Sequence, residues 1–334
     1  MTGTWVVTGG AGYIGGHVVT ALRREGIGVV VLDDLSTGRA ERLPLDVPLV
    51  LGRVGDPQAL RSVLAGATGV VHLAALTSAP ESVRDPLAYY AANVTDTAML
   101  LSAMAEAGVP RIVTSSSAAV YGCAPAGALT EQDQPRPQNP YGTTKWIAER
   151  LLAEVGAASG TASVALRFFN VVGAATPALA DTRTSAVLPR LLDAAQGGTV
   201  TVHGLTHPTP DGSAVRDFVH VRDVAEAHVA AVRRLTCGGS GSAVYNVGTG
   251  WGCSVLELID VVERVTGQPV RWIPGNVRPG DPARSVADPS LIARELGWRA
   301  RFDLAEAVRS AWAARVPAAP AALTRRSLLP AAAG

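Results

Sequence analysis

A short apolar run, a cluster of glycines, an amphipathic segment and a second apolar run ending in two aspartates follow one another between Thr4 and Asp34. That order leaves few folds open. Thr4-Trp-Val-Val-Thr8 is β-branched and aromatic without alternation, the pattern of a strand covered on both faces. Gly9-Gly-Ala-Gly12-Tyr-Ile-Gly15 comes next, then a segment from Gly16 to Arg24 that reads as a helix. Gly9, Gly12 and Gly15 permit a tight turn and close approach of backbone to a pyrophosphate, and the N–H groups opening the helix, near Tyr13 and Ile14, face the anion. A second strand, Ile27-Gly-Val-Val-Val-Leu32, ends in Asp33-Asp34. An acid there, about 20 residues past the glycines, suits the hydroxyls of an adenosine ribose and repels a 2′-phosphate, which favours NAD over NADP. The expected fold is α/β, a doubly wound parallel-sheet Rossmann domain.

Later segments continue the alternation. Pro48-Leu-Val-Leu-Gly52 leads to Asp56, an acid able to meet the adenine amino group. Gly69-Val-Val-His72 runs into Leu73, Ala74 and Ala75, small enough to let a cofactor lie close, and His72 in this apolar setting reads as a core histidine paired internally. Asn93 is a polar residue in an otherwise apolar helix expected from Asp85 to Gly108, and a buried amide needs partners. The fifth strand, Arg111-Ile-Val-Thr114, delivers Ser115-Ser-Ser117 at its carboxyl end, where open α/β sheets bind ligands. Tyr141-Gly-Thr-Thr-Lys145 then places a phenol and an ammonium one helical turn apart, and Lys145 is the only lysine in the chain. Residues at this spacing share a face, with Cβ atoms about 5–6 Å apart. A neighbouring cation favours a phenolate, a base near neutral pH; an isolated pair of this kind also serves simply to cover a surface helix. A sixth strand, Ser163 to Phe169, includes Phe168 and runs into Asn170.

The net charge of +1 offers no clustered basic surface for nucleic acid. No apolar run is long enough to span a bilayer, and the first residues enter a strand without a basic leader. Cys123, Cys237 and Cys253 are odd in number and widely spaced, which argues against a disulfide framework and for a cytoplasmic protein. No metal-ligand spacing joins them to the six histidines.

The ordered set of glycine turn, Asp33, Ser-Ser-Ser117-Ala-Ala-Val-Tyr-Gly122, Pro140-Tyr-x-x-x-Lys145 and Leu166-Arg-Phe-Phe-Asn170 resembles the UDP-glucose 4-epimerase family of the extended short-chain dehydrogenases. Asp211-Gly-Ser-Ala-Val-Arg216-Asp-Phe-Val-His-Val, Tyr245-Asn-Val-Gly-Thr-Gly250 and Arg278-Pro-Gly-Asp281 extend the likeness from Thr4 to about Arg309. The resemblance implies bound NAD, with Leu35, Ser36, Thr37 and Gly38 closing over the adenosine, and Thr77 and Ser115 near the cofactor. It implies that Tyr141 as phenolate takes the proton of the sugar 4-hydroxyl, that Ser117 hydrogen-bonds that oxygen, and that Lys145 lowers the tyrosine pKa and binds the nicotinamide ribose. Asn93 would help hold Lys145. Thr77, Asn170, Leu188, His203, Arg216, Arg278, Asp281 and Arg284 would line the UDP-sugar site.

The expected organisation is residues 1–173 plus 217–249 for NAD; 174–216 plus 250–316 form a smaller discontinuous α/β substrate-binding domain, and 317–334 a poorly ordered tail. Departures from the family pattern concern the sugar. Ala119 replaces a threonine that assists the serine, Ala186 an asparagine, and His203 an aromatic that stacks on uracil. Arg284 lies near the position of a tyrosine that limits the sugar pocket. Arg284 or Arg183 could pair with a C6 carboxylate, making UDP-glucuronate the main substrate alternative, with a UDP-N-acetylhexosamine behind it. A dehydratase would carry an Asp-Glu pair where Ala118-Ala119 stand, and a non-catalytic NAD-binding module would be expected to lose the Tyr/Lys pair. In similar proteins the helices starting near Asp85 and Tyr141 pair across a two-fold axis, implying a homodimer.

Overall fold

A computed structural model describes residues 3–123, 127–278 and 280–315; the expected tail at 317–334 lies outside them. Strand β1 (Thr4–Thr8) turns into helix α1 (Tyr13–Arg24) and returns as β2 (Gly28–Asp33). There follow β3 (Leu49–Leu51), α2 (Pro57–Leu64), β4 (Gly69–His72), α3 (Ala79–Arg84), α4 (Pro86–Tyr90), α5 (Asp96–Glu106), β5 (Arg111–Ser117), α6 (Pro140–Ser159) and β6 (Ala162–Phe168). The second half comprises β7 (Asn170–Val172), α7 (Val187–Ala195), β8 (Val200–His203), β9 (Val215–His220), α8 (Val221–Thr236), β10 (Ser242–Val247), β11 (Gly252–Ser254), α9 (Val255–Thr266), β12 (Trp272–Gly275), β13 (Arg284–Ser285), α10 (Ser290–Leu296) and α11 (Leu304–Ala313).

The main sheet runs β10-β6-β5-β4-β1-β2-β3, and every pairing in it is parallel. Its order reverses at β1, between β2 and β4, which opens a crevice at the carboxyl ends of those strands. Successive side chains feed opposite faces. Trp5, Val7 and Val31 join α1 and α8 residues such as Leu22 and Val232 in one core, while Val6, Leu32 and Ile112 join Leu60, Leu100 and Leu152 of α2, α5 and α6 in the other. A third core packs Leu188 and Leu191 of α7, Leu258 and Val262 of α9 and Val308 of α11 around Val202 and Phe218. It underlies a small sheet in which β9 lies between β11 and β13 and also pairs with β7, while β8 pairs with β12.

Local differences from the sequence-based expectation have physical causes. Helix α1 begins at Tyr13, three residues before Gly16, because Gly12 is already the extended N-cap residue. The helix expected from Asp85 to Gly108 contains a π-turn at Ala91–Thr95, centred on Asn93, whose amide bonds outward to another segment. Ser115 to Ser117 belong to β5 itself.

Four histidines are buried, and burial pushes His17, His220 and His228 down to about 4 and His72 down to about 3, from an ordinary 6.5. The unfolded chain binds more protons below pH 6.5, so this contribution is complete above 6.5 and is lost as pH falls toward 4. The carboxyls of Asp33, Asp217 and Asp223 are raised by burial and act in the opposite sense near the bottom of that window. The urea midpoint is therefore expected to fall between pH 7 and pH 5; a flat midpoint over that range contradicts the assignment of these histidines as neutral.

Candidate active site

The turn after β1 is shaped for an anion. Gly9 has φ 70°, and a Cβ there would fall 2.6 Å from the Ala74 nitrogen. At Gly15 a Cβ would fall 2.1 Å from the Gly9 oxygen, so the turn closes only without side chains. No side chain caps α1, and its first turn holds no acid, leaving N–H groups and the positive end of the helix dipole for a phosphate. Asp33 Oδ2 accepts from Ala11 N at 2.9 Å and Oδ1 from Leu35 N at 2.9 Å. A carboxylate has about four acceptor positions, so two remain for ribose hydroxyls. Leu35 is the one non-glycine residue at positive φ, 57°, among those described, a conformation costing about 1–2 kcal/mol that the Asp33 bond helps hold. Asp34 Oδ1 accepts from Ser36 N and Oγ at 2.9 and 2.6 Å, Thr37 is exposed, and Gly38 packs against Asp33. Asp56 caps α2 through Gln58 N, leaving its other oxygen free of that role. These residues fit the phosphates and adenosine of NAD.

The second half of the site lies at the carboxyl end of β5, reached by α6. Asn139 caps α6 by accepting from Gly142 N at 2.9 Å, which directs Tyr141 and Lys145 toward the sheet. Burial raises the Tyr141 phenol, while a hydrogen bond with Ser117 and the charge of Arg183 lower it. Ser117 Oγ also accepts from Ala119 N at 3.2 Å, a bond that sets its rotamer without the missing threonine. The Tyr141 ring meets Tyr89 edge-on, 6.5 Å between centroids, and the Tyr89 hydroxyl accepts from Ser78 N.

Lys145 is anchored on β5. Its Nζ donates to Ser115 O at 3.0 Å and Oγ at 3.3 Å. The carboxyl end of β5 thus supplies two oxygens to the ammonium. Arg183 is a second cation that lowers the phenol. Burial pushes the ammonium down to about 8, against the pull of Glu149. The Asn93 amide pairs with Leu76 N and O at 2.9 and 3.0 Å and donates to Thr144 Oγ1, next to Lys145 in sequence, at 3.1 Å. It thereby joins the exit of β4, next to Leu73, Ala74, Ala75 and exposed Thr77, to α6. His72 is satisfied on both sides, by Thr8 at 2.7 Å and Thr97 at 3.1 Å.

On the smaller lobe, Arg216 Nη2 bonds Asp281 Oδ1 at 2.5 Å, so the aspartate's side-chain partner is Arg216 rather than Arg278, which is exposed. Asp217, fully buried, holds this sheet together by accepting from Thr249 N and Oγ1, Gly250 N and Ala287 N. His203 Nδ1 lies 3.2 Å from Asn276 O at the β8–β12 pairing. Asn170 and Phe168 flank the β6–β7 junction, with Phe168 opposite Ser117 in register. Arg284 is exposed and lies over Gly252 of β11. The Leu188 side chain is buried in the third core, so only its backbone remains for a ligand.

One buried cluster escaped the sequence reading. Arg167 of β6 donates to both Glu149 oxygens at 2.9 and 2.6 Å and to Tyr121 Oη at 2.9 Å; Tyr121 donates to Asn246, and Ser116 donates to Glu149. A lone arginine within an apolar strand, and a glutamate one turn beyond Lys145, were the available signals, since a buried guanidinium requires an acid. Among the described residues no group of three His, Cys, Asp or Glu side chains could hold a metal ion.

Comparison with known proteins agrees with this geometry. The model of the NAD dependent epimerase/dehydratase family matches residues 5–248. A UDP-glucose 4-epimerase of Azospirillum brasilense is 42% identical over 316 residues, spanning 92% of this chain and 90% of that protein. The crystal structure of a UDP-glucose-4-epimerase from Stenotrophomonas maltophila, with bound NAD and formylated UDP-arabinopyranose, superposes with a TM-score of 0.89 at 39% identity, covering 94% of this chain and 98% of that one. The Brucella ovis UDP-glucose 4-epimerase in complex with NAD gives 0.89 at 37% identity, covering 93% and 98%.

Proposed function

Because the chain belongs to the NAD dependent epimerase/dehydratase family, we propose that it interconverts the C4 epimers of a UDP-hexose of the UDP-glucose/UDP-galactose type. It is an NAD-dependent isomerase. The observation that carries the residue-level reading is the docking of the start of α6, which bears Tyr141, on the Ser115–Ser117 end of β5, where Lys145 Nζ bonds Ser115 O at 3.0 Å, one crevice away from the glycine turn. Bound NAD supplies the group that accepts a hydride from C4 and returns it.

The chain's own residues manage the proton and the geometry. Tyr141 takes the 4-hydroxyl proton and gives it back, and Ser117 donates to the same oxygen while charge develops there. Lys145, fixed on Ser115, offers its remaining N–H groups to the cofactor ribose. Arg216, backed by Asp281, and Arg278 grip the diphosphate, since a guanidinium matches phosphate oxygens; His203 stacks on the base. A firm hold on the nucleotide with few contacts to the sugar lets the 4-keto sugar present its other face. In this reading residues 1–173 and 217–249 serve NAD, and 174–216 and 250–316 serve the UDP-sugar.

Incubation with UDP-glucose, UDP-galactose, UDP-N-acetylglucosamine and UDP-glucuronate, followed by separation of the C4 epimers, tests the proposal. The expected result is interconversion of the first two; folded, NAD-loaded protein that epimerises no UDP-sugar would refute it.

The homodimer is part of the proposal. Val83, Leu87 and Tyr90 of α3 and α4 are 64%, 79% and 37% exposed, an apolar strip beside α6 of the kind that marks an interface. Leu87→Asp is expected to convert a dimer to a monomer in sedimentation, whereas an unchanged dimer would place the interface elsewhere. Cys123, Cys237 and Cys253 are free thiols, which suits a reducing cytoplasm. Among the described residues no helix is long and apolar enough to cross a membrane.

A further inference from the structure

The chain between β7 and α7 forms a strap over the glycine turn. Leu179, buried, packs where Gly16 of α1 has no side chain. Arg42, which follows β2, donates to Ala180 O at 3.1 Å and Thr182 Oγ1 at 3.4 Å, and with its other nitrogen to Ala11 O inside the turn at 3.3 Å. The strap is thereby tied to the phosphate cradle from the adenosine side. It ends at Arg183, whose Nε and Nη2 bond the two oxygens of Asp181 at 2.9 and 2.8 Å. The guanidinium carbon stands 5.2 Å from the centre of the Tyr13 ring, the first residue of α1.

We propose that Arg183 is a clasp on the cofactor: anchored by one edge to Asp181, its guanidinium binds the nicotinamide-side phosphate of the NAD pyrophosphate. The inference rests on the NAD site described above. The cofactor must run from Asp33, past the uncapped start of α1, to Tyr141. Arg183 lies beside the start of α1, its guanidinium carbon 5.2 Å from the centre of the Tyr13 ring, where the path leaves the glycine turn for Tyr141. A guanidinium has five N–H groups. Asp181 engages the Nε–Nη2 edge, Nη1 is uncommitted, and the side chain is 43% exposed. Arg42 is buried, with Nη1 and Nη2 bonded to backbone and hydroxyl oxygens and Nε buried without a partner, so it has no donor reaching the open side of the turn, and the only lysine, Lys145, is committed to Ser115. Arg183 thus brings free donors to the start of α1, whereas exposed Arg39, whose N bonds Ala11 O at 2.9 Å, stands on the adenosine side, and a planar fork suits a phosphate oxygen pair.

Titration calorimetry on the cofactor-stripped full chain tests this with NAD, ADP-ribose, AMP and UDP as probes. Arg183→Ala is expected to weaken NAD and ADP-ribose by about tenfold. AMP, which lacks the second phosphate, and UDP should change by less than about twofold. Arg183→Lys should recover part of the loss, and the difference from wild type should shrink as salt is raised. Unchanged NAD affinity in Arg183→Ala overturns the clasp, as does a loss equal for AMP, which would signal a disturbed turn, or a loss confined to UDP, which would move the arginine to the substrate diphosphate. Wild-type protein that fails to bind NAD overturns the cofactor site itself and the clasp with it; normal NAD binding by both proteins removes the clasp alone.

Discussion

Tyr141→Phe is expected to lower turnover of UDP-glucose by about 10³-fold while leaving NAD affinity within about twofold. The substitution removes one oxygen and keeps the ring. The edge contact with Tyr89, 6.5 Å between centroids, survives, as does the Asn139 cap that starts α6. The group that receives the 4-hydroxyl proton is lost. Ser117 remains, but a neutral serine hydroxyl is too weak a base to take the proton at neutral pH. Steady-state epimer formation with a parallel NAD titration checks the expectation. Activity within tenfold of wild type would take the base role away from Tyr141, and a matching loss of NAD binding would show that the ring was disturbed.

The second large effect concerns stability. Arg167 and Glu149 have side chains only 5% and 6% exposed, and each satisfies the other. Glu149→Ala leaves a buried guanidinium without its acid, a change that costs about 3–5 kcal/mol. Combining Glu149→Leu with Arg167→Met is expected to restore most of that, because neither charge then needs a partner. A urea series on the three proteins separates the cases: a double variant as unstable as the single one would mean that volume, not charge, sets the cost. Glu149 also pulls the Lys145 pKa upward against burial. Glu149→Gln should therefore move the Lys145 titration below its midpoint of about 8. Because Lys145 is the only lysine, isotope-labelled lysine yields a single side-chain signal for this titration. A midpoint unchanged in Glu149→Gln would disconnect the buried pair from the site.

The parts of the fold readable in the sequence were those written in a short period. The run from Thr4 to Asp34 is one unbroken pattern, and its strand, turn and helix are where pattern and glycines put them, apart from a helix start earlier than Gly16. Tyr141 and Lys145 share a face because four residues make about one turn. What the spacing does not contain is the direction a long side chain takes along that face. Lys145 found the Ser115 carbonyl, and a second cation that lowers Tyr141, Arg183, sits on a connection with no periodicity to read. The π-turn at Asn93 had the same origin: two groups of Leu76 and one of Thr144, remote in sequence, claim its amide. Arg167 in an apolar strand demanded an acid, but several were available, and only packing chose Glu149.

The most direct measurement of the central claim follows the hydrogen on C4. UDP-glucose carrying deuterium at that carbon is incubated with the NAD-bound protein, and the UDP-galactose formed is isolated. The account predicts UDP-galactose that retains the deuterium at C4, because the same hydrogen leaves and returns while Tyr141 handles only the hydroxyl proton. UDP-galactose with the label exchanged into solvent, or no UDP-galactose at all, would contradict it.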